Sequence, residues 1–407
     1  MADGFLDKVA KTLYHHYRIQ LFSGEARAEL RAEGDLSRRE AGDDTLHLRE
    51  TLDWLCRAHD ATNKRGVARG YAAAWNFNFD ARGWQPAYPE TTGYIVPTFL
   101  DCAKLLSDDD LIQRAEEMCD WEIAVQLDSG AVMGGTVDQS PSPAVFNTGQ
   151  VILGWERAYR ESGNRAFATA AERAADYLLS VQEPEGHWLT GNSQFADART
   201  TTYNARVGWS LILLGQALER DDYIVAGRRN IDSVLRAQQE NGWFRDNCLS
   251  NPEAPLLHTI SYAIEGTLGA AVALKDTRYL KAAQLAADHL LPLISPEGRI
   301  PGRLGSAWQG RTSWDCLTGS AQLAGILLTL ALELDEPKYA AGAQRLLTHI
   351  KRTQHLTSDH SGLRGGVKGS YPFSGGYGRF ELLNWAAKFF IDALVLNIKW
   401  QERTRAE

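Results

Sequence analysis

The chain has 407 residues, 44% hydrophobic and 23% charged, with a net charge of −8. Those values suit a soluble globular protein; they exclude collagen-like, coiled-coil and wholly disordered chains and give no basic footprint for nucleic acid. Five cysteines without a CxxC pair, a start with no basic segment ahead of an apolar core, and no apolar run of the ~18 residues a membrane helix needs point to a reduced, cytoplasmic protein without a membrane span.

Residues 1–43 read as an N-terminal helix and a charged linker. Phe5, Leu6, Val9, Leu13 and Tyr17 form a helical stripe, and the stretch from Gly24 to Asp44 is dense in Arg and Glu, as a solvated linker would be. From residue 44 a repeat sets in. Gly130, Gly186 and Gly242 follow Gln-bearing helix ends, Gly298 continues their constant spacing of 56, and steps of 64 outward reach Gly66 and Gly362. Six such units imply a repeat architecture. Each unit predicts an amphipathic helix before the glycine, over 44–60, 108–126, 164–182, 221–239, 277–293 and 337–354. A more apolar helix follows, over 92–106, 147–160, 202–218, 258–274, 315–334 and 380–397. Short hinges such as Leu106-Ser107-Asp108 and Ser162-Gly163-Asn164 return the chain to the next outer helix, with Ser107 or Asp108 and Asn164 as caps. The fold class is therefore all-α: an (α/α)6 toroid over 44–397, followed by a C-terminal tail at 398–407. Strand signals are weak.

In this topology the long loops 61–91, 127–146, 183–201, 240–257, 294–314 and 355–379 share one end, and the hinges opposite are too short for a site. The loops carry Trp75, Phe77, Trp84, Trp188, Phe195, Trp243, Trp308, Trp314 and Tyr377, and Tyr94 lies just inside the first inner helix. Aromatic faces at a concave mouth suit stacking with sugar rings.

With Gly186-His187-Trp188 and Gly242-Trp243-Phe244 opening its loops, the stretch 44–397 resembles the six-hairpin glycosidase superfamily. The resemblance is architectural. It implies a glycan-binding mouth at the inner-helix N-termini, where relatives carry out glycoside hydrolysis, uronate β-elimination or, in a related toroid, sugar 2-epimerisation. Fold alone does not choose among these.

Charge divides the mouth. Counted over 61–91, 295–315 and 355–381, which take in the first inner-helix carboxylates, units one, five and six sum to +4, and over 127–148, 183–204 and 240–258 units two to four sum to −6. Arg299, Arg303, Arg311, Arg364, Lys368 and Arg379 form the cationic side, which suggests an anionic oligo- or polysaccharide as substrate. Three carboxylates stand there at inner-helix starts: Glu90, Asp315 and Glu381. Each could simply cap its helix. The functional expectation is glycoside hydrolysis, with Asp315 and Glu90 as the acid/base pair and Glu381 third. A second constellation, Asn204, Arg206, His258 and Tyr262, is similar in type to that of uronate lyases and would serve a lyase or uronyl 5-epimerase through Tyr/His proton transfer. A non-catalytic glycan-binding protein of exopolysaccharide biosynthesis is the third alternative. The run from Arg364 to Ser370 reads as a flexible glycan-contact loop. Glu265 and Lys388 are charges on otherwise apolar inner helices that could reach the axis or pair. No cofactor is expected, and Cys248, Cys316 and His258 match no metal-ligand spacing. Nothing in the sequence sets an oligomeric state.

Overall fold

A computed structural model describes residues 13, 23–34, 39–76, 79, 81–191, 201–249 and 251–406. The stripe expected over 1–20 therefore lies outside the described residues except for Leu13, which is exposed. After α1 (Gly24–Ala32), two concentric layers alternate. The outer helices are α2 (Asp44–Asp60), α4 (Asp109–Val125), α6 (Arg165–Ser180), α8 (Asp221–Arg236), α10 (Thr277–Leu290) and α12 (Pro337–Thr353). The inner helices are α3 (Pro89–Leu106), α5 (Val145–Ser162), α7 (Ala205–Leu218), α9 (Leu257–Leu274), α11 (Leu317–Leu334) and α13 (Asn384–Ala406). Each inner helix packs on the next, α13 packs back on α3, and α2 packs on α13, so the ring closes.

Local chemistry explains the layering. The outer helices bury only an Ala-rich stripe, such as Phe167, Ala171, Ala174 and Leu178 on α6. The inner helices are buried almost all round. Indeed α11 is long and apolar enough to cross a membrane by composition, which the absence of an apolar run in the sequence reading did not anticipate; 72% of it is buried in the ring. At the hinges, Ser107 takes a left-handed C-cap (φ 54°) and Asp108 accepts from the Asp110 N–H, so the two residues divide the capping between them. Asn164 caps α6 in the same way.

The repeat glycines have a steric reason. Gly130, Gly186 and Gly298 have positive φ, and a Cβ on any of them would lie 1.9–2.2 Å from a carbonyl oxygen of the following outer helix, at Arg173, Arg229 and Arg345. The preceding glutamine completes the joint: Gln126, Gln182 and Gln238 each donate both to the glycine carbonyl and to the neighbouring outer helix. In the sixth unit this role falls to Gly365 (φ +75°, against Glu50 of α2), with Gln354 donating to its carbonyl. The expected Gly362 does not take it: here the glycine stands 11 positions after its glutamine, against 4 in the units of Gln126, Gln182 and Gln238.

Three expectations are revised. Short strands do form at the loop end: β1 (Gly70–Asn76) pairs antiparallel with β2 (Ala81–Trp84) and β5 (Glu381–Leu383), and β3 (Asp315–Cys316) pairs with β4 (Ser370–Tyr371). These join unit six to units one and five across the seam. The stretch after Gly24 is not wholly solvated linker: α1 packs on β1, burying Glu29 and Glu33. Residues 398–406 are the last turns of α13, with Trp400 buried, and not a separate tail.

Candidate active site

The loop-side end of the axis is closed by aromatic rings around a few polar groups. Glu90, on the first turn of α3, is 9% exposed. It accepts the Tyr88 hydroxyl at 2.6 Å, and the N-terminus of α3 has no side-chain cap. Capping therefore does not explain this carboxyl. Burial raises it to about 7, against the lowering effects of the Tyr88 hydroxyl and the Arg206 charge.

Deeper on the axis, Arg206 is completely enclosed. It donates to Gln150 Oε1 at 2.7 Å and pairs with Glu265 at 2.5 Å. Its guanidinium lies 5.2 Å from the Tyr262 ring, 5.5 Å from those of Phe389 and Trp209, and 5.8 Å from that of Tyr94. The buried Tyr94 and Tyr262 hydroxyls adjoin one another. His258 sits 4.4 Å from the Tyr262 ring and 5.6 Å from that of Tyr377. Its Nδ1 meets Gln322 Oε1 at 2.6 Å, while Gln322 Nε2 donates to Glu265. Because the amide nitrogen must face that carboxylate, its oxygen faces the imidazole, so Nδ1 carries the proton and Nε2 is the open lone pair. Burial pushes His258 down to about 4 and Tyr262 well above the usual phenol range. Asn204 donates to Thr201, and its buried Oδ1 has no partner among the described residues.

Beside this cluster, Glu381 Oε1 accepts from Arg69 (2.9 Å), Gln85 (2.6 Å) and Asn76 (2.5 Å). Arg69 lies over Phe79 and Trp385, and Trp385 in turn contacts Tyr88. Glu381 thus joins the Glu90 cluster through shared aromatic neighbours.

Asp315 does not join it. Its carboxylate accepts from Arg299 (2.8 and 3.1 Å) and from His349 on outer helix α12 (3.0 Å), so it faces the outer layer. The cationic sector is likewise largely spent on local partners. Arg299 binds Asp315, Arg364 binds Glu50 of α2, Arg303 donates to the Ala254 carbonyl, and Lys368 is buried between Glu29 and Glu33. Arg379 packs on Phe380, and Arg311 remains exposed. Residues 364–370 are accordingly pinned and do not form a flexible loop. Of the aromatics, Trp188, Trp243 and Trp308 are buried in loop packing, with Trp188 donating to the Leu178 carbonyl and Trp308 to that of Asn241. Trp84 packs on Trp54 and Tyr71. Trp75, Trp314 and Tyr377 keep partial exposure. Phe77 and Phe195 lie outside the described residues.

Tyr88, a loop aromatic, and Arg69, a loop cation, complete the site together with Gln150, Gln322, Phe389 and Trp385, which were not singled out from the sequence. A signal was present: Gln150 and Arg206 are 56 apart, and His258 and Gln322 are 64 apart. These are the repeat spacings, which place such pairs at equivalent points of adjacent inner helices.

No family model matches the sequence, and no curated protein matches it. Solved structures do. An unsaturated glucuronyl hydrolase specific for heparin superposes with a TM-score of 0.71 at 15% identity, covering 89% of this chain and 99% of that one. A variant unsaturated glucuronyl hydrolase from Streptococcus agalactiae, complexed with dGlcA-GalNAc6S, gives 0.62 at 13% over 90% and 94%. The cellobiose 2-epimerase of Bacillus thermoamylovorans gives 0.66 at 12% over 85% and 96%. The chain has the six-hairpin glycosidase-like (α/α)6 fold. The mouth built by Glu90, Arg206, His258 and Tyr262 lies at the N-termini of that toroid's inner helices.

Proposed function

We propose that this six-hairpin toroid is a carbohydrate-active enzyme that hydrolyses a glycosidic bond in a uronate-containing oligosaccharide, with Glu90 as general acid. The observation that carries this is the contrast between two carboxyls linked through Arg69, Trp385 and Tyr88. Glu90 is held among aromatic rings with a raised pKa, so a large fraction is protonated near pH 7 and can give a proton to a leaving oxygen. Glu381 is gripped by a guanidinium and two amides, which suits the anionic partner that activates water or stabilises positive charge on the sugar. Tyr377 and Trp314, both partly exposed, offer rings for stacking. The acidic character of the substrate is supported by the glucuronyl hydrolases of this fold, since the loop cations that suggested it are mostly paired.

The second reading is a lyase or 5-epimerase. The gathering of His258, Tyr262 and Arg206 around one axial point favours it. Protonation disfavours it: with His258 at about 4 and Tyr262 raised, neither is a strong base near neutral pH. Variants decide between the two. With an oligosaccharide that the wild type turns over, hydrolysis predicts that Glu90→Gln loses about 10²–10⁴-fold in rate while Tyr262→Phe is mild. An inactive Tyr262→Phe beside an active Glu90→Gln would move the assignment to elimination or epimerisation. Saturable glycan binding with no turnover by the wild type would leave the non-catalytic alternative.

A further inference from the structure

The hinge end of the ring, where short connections seemed to leave no room, holds a cavity of about 440 Å³ on the axis. The second halves of the inner helices supply most of its lining, and Arg206, Glu265 and Gln322 of the axial cluster line it as well. Its size falls within the ~300–1,000 Å³ typical of small-molecule sites.

Two observations indicate what it would hold. The first is charge. Arg157 pairs with Asp101 (2.7 Å), Arg160 with Glu156 (2.5 Å), Arg206 with Glu265 (2.5 Å) and Lys388 with Asp392 (2.5 Å). The remaining lining cation, Lys399, is exposed at the rim. A charged ligand inside would have to be desolvated against partners already neutralised. Apart from Thr98, Gln322 and Thr329 the rest of the wall is apolar, with Leu153, Leu268, Ile326, Val395 and the half-buried Trp209.

The second observation is Gly325, in the middle of α11. Inner-helix glycines elsewhere are required by close helix approach: a Cβ would lie 2.5 Å from Val151 at Gly93, 2.3 Å from Ala205 at Gly266 and 2.7 Å from His258 at Gly319. Among the described inner-helix glycines Gly325 alone meets no such crowding, the nearest atom being Leu396 Cδ1 at 4.0 Å. Glycine inside a helix lowers helix stability, and packing does not require it here. What it provides is open volume in the cavity wall.

We propose that this cavity is a second binding site, for a neutral and predominantly apolar small molecule, independent of the glycan chemistry at the mouth. The test is fluorescence titration of the full chain with the uncharged probe N-phenyl-1-naphthylamine, following probe emission and quenching of tryptophan. The expected result is saturable binding at one site. Gly325→Leu, which directs a side chain into the void, should weaken it at least ~10-fold with the thermal transition retained, while Gly325→Ala binds as wild type. Should Gly325→Leu not fold, Val272→Trp, which starts from a half-exposed rim position, serves instead. The anionic probe 8-anilino-1-naphthalenesulfonate should bind more weakly than the neutral one. Absence of saturable binding, binding unaffected by both filling variants, or equal affinity for the anionic probe would each overturn the proposal.

Discussion

Replacing Glu90 by Gln separates catalysis from stability, because the two should move in opposite directions. The carboxyl stands at about 7 in the folded chain against an ordinary value of 4.5. Between those pH values the native state keeps a proton that the unfolded state has released, so stability falls as pH rises through this window and the loss is complete above it. At roughly 1.4 kcal/mol per pH unit, the burden on the wild type at pH 8 is ~3 kcal/mol relative to pH 4. Gln keeps the shape and an oxygen for the Tyr88 hydroxyl but cannot ionise, so it does not carry that burden. Urea denaturation at pH 4, 6 and 8 should therefore show the variant gaining on the wild type as pH rises, by ~3 kcal/mol at the top of the range. Its rate should fall ~10²–10⁴-fold, and the wild-type rate should itself decline as pH rises through about 7, where the acid is lost. A variant less stable than the wild type by the ~0.5–2 kcal/mol of a lost helix cap, with its rate intact, would refute the reasoning.

Asp315→Asn should act on stability instead. Breaking its contacts with Arg299 and His349 should cost ~2–3 kcal/mol in urea denaturation, at the low end for a buried pair because Arg299 is 41% exposed, with the folded enzyme's rate within a few-fold. A dead but fully stable variant would restore Asp315 to the chemistry. His258, depressed to about 4 from 6.5, stays neutral in the folded state while the unfolded chain takes up a proton, so its own contribution to stability should drop by ~3 kcal/mol as pH falls from 6.5 to 4, opposite in sign to that of Glu90; His258→Gln should therefore gain on the wild type by that amount as pH falls, and a constant difference between the two would count against the burial argument. Gly325→Ala should raise stability by ~1 kcal/mol, whereas Gly130→Ala, with its Cβ 2.2 Å from the Arg173 carbonyl at positive φ, should lower it by ~2 kcal/mol or more. Equal effects at the two glycines, measured by chemical denaturation, would contradict the steric basis of the repeat. Lys368→Met should destabilise by ~3 kcal/mol by removing the buried cation shared by Glu29 and Glu33, which then keep only His355 and the Phe373 N–H, without changing glycan affinity.

The ring itself was legible because its joints recur: a glycine that must admit a neighbouring carbonyl and a glutamine that ties it down leave a period in the sequence. Helix bounds followed closely, since an apolar inner layer and an amphipathic outer layer differ in pattern. The site was legible only in its helix-borne part. His258 and Tyr262 share a face, and Arg206 repeats one of them at the period, so their meeting on the axis was predictable. Loop residues carry no such constraint. Arg364 could equally face a glycan or Glu50 of α2, and only the closure of the ring brings α2 beside it. Lys368 lost its expected role because α1, which has no counterpart in the repeat, delivers two carboxylates to it. Asp315 shares Glu90's place near an inner-helix start, yet it lies on a short strand whose pairing with β4 accompanies an outward-facing carboxylate.

The most direct measurement incubates uronate-containing oligosaccharides with the wild type and with Glu90→Gln, following new reducing ends and the absorbance of unsaturated products together. Hydrolysis at the axial mouth predicts that the wild type releases reducing ends with no gain in absorbance, and that Glu90→Gln abolishes the release. Reducing ends accompanied by rising absorbance, or release that persists in Glu90→Gln and disappears in Tyr262→Phe, would contradict it.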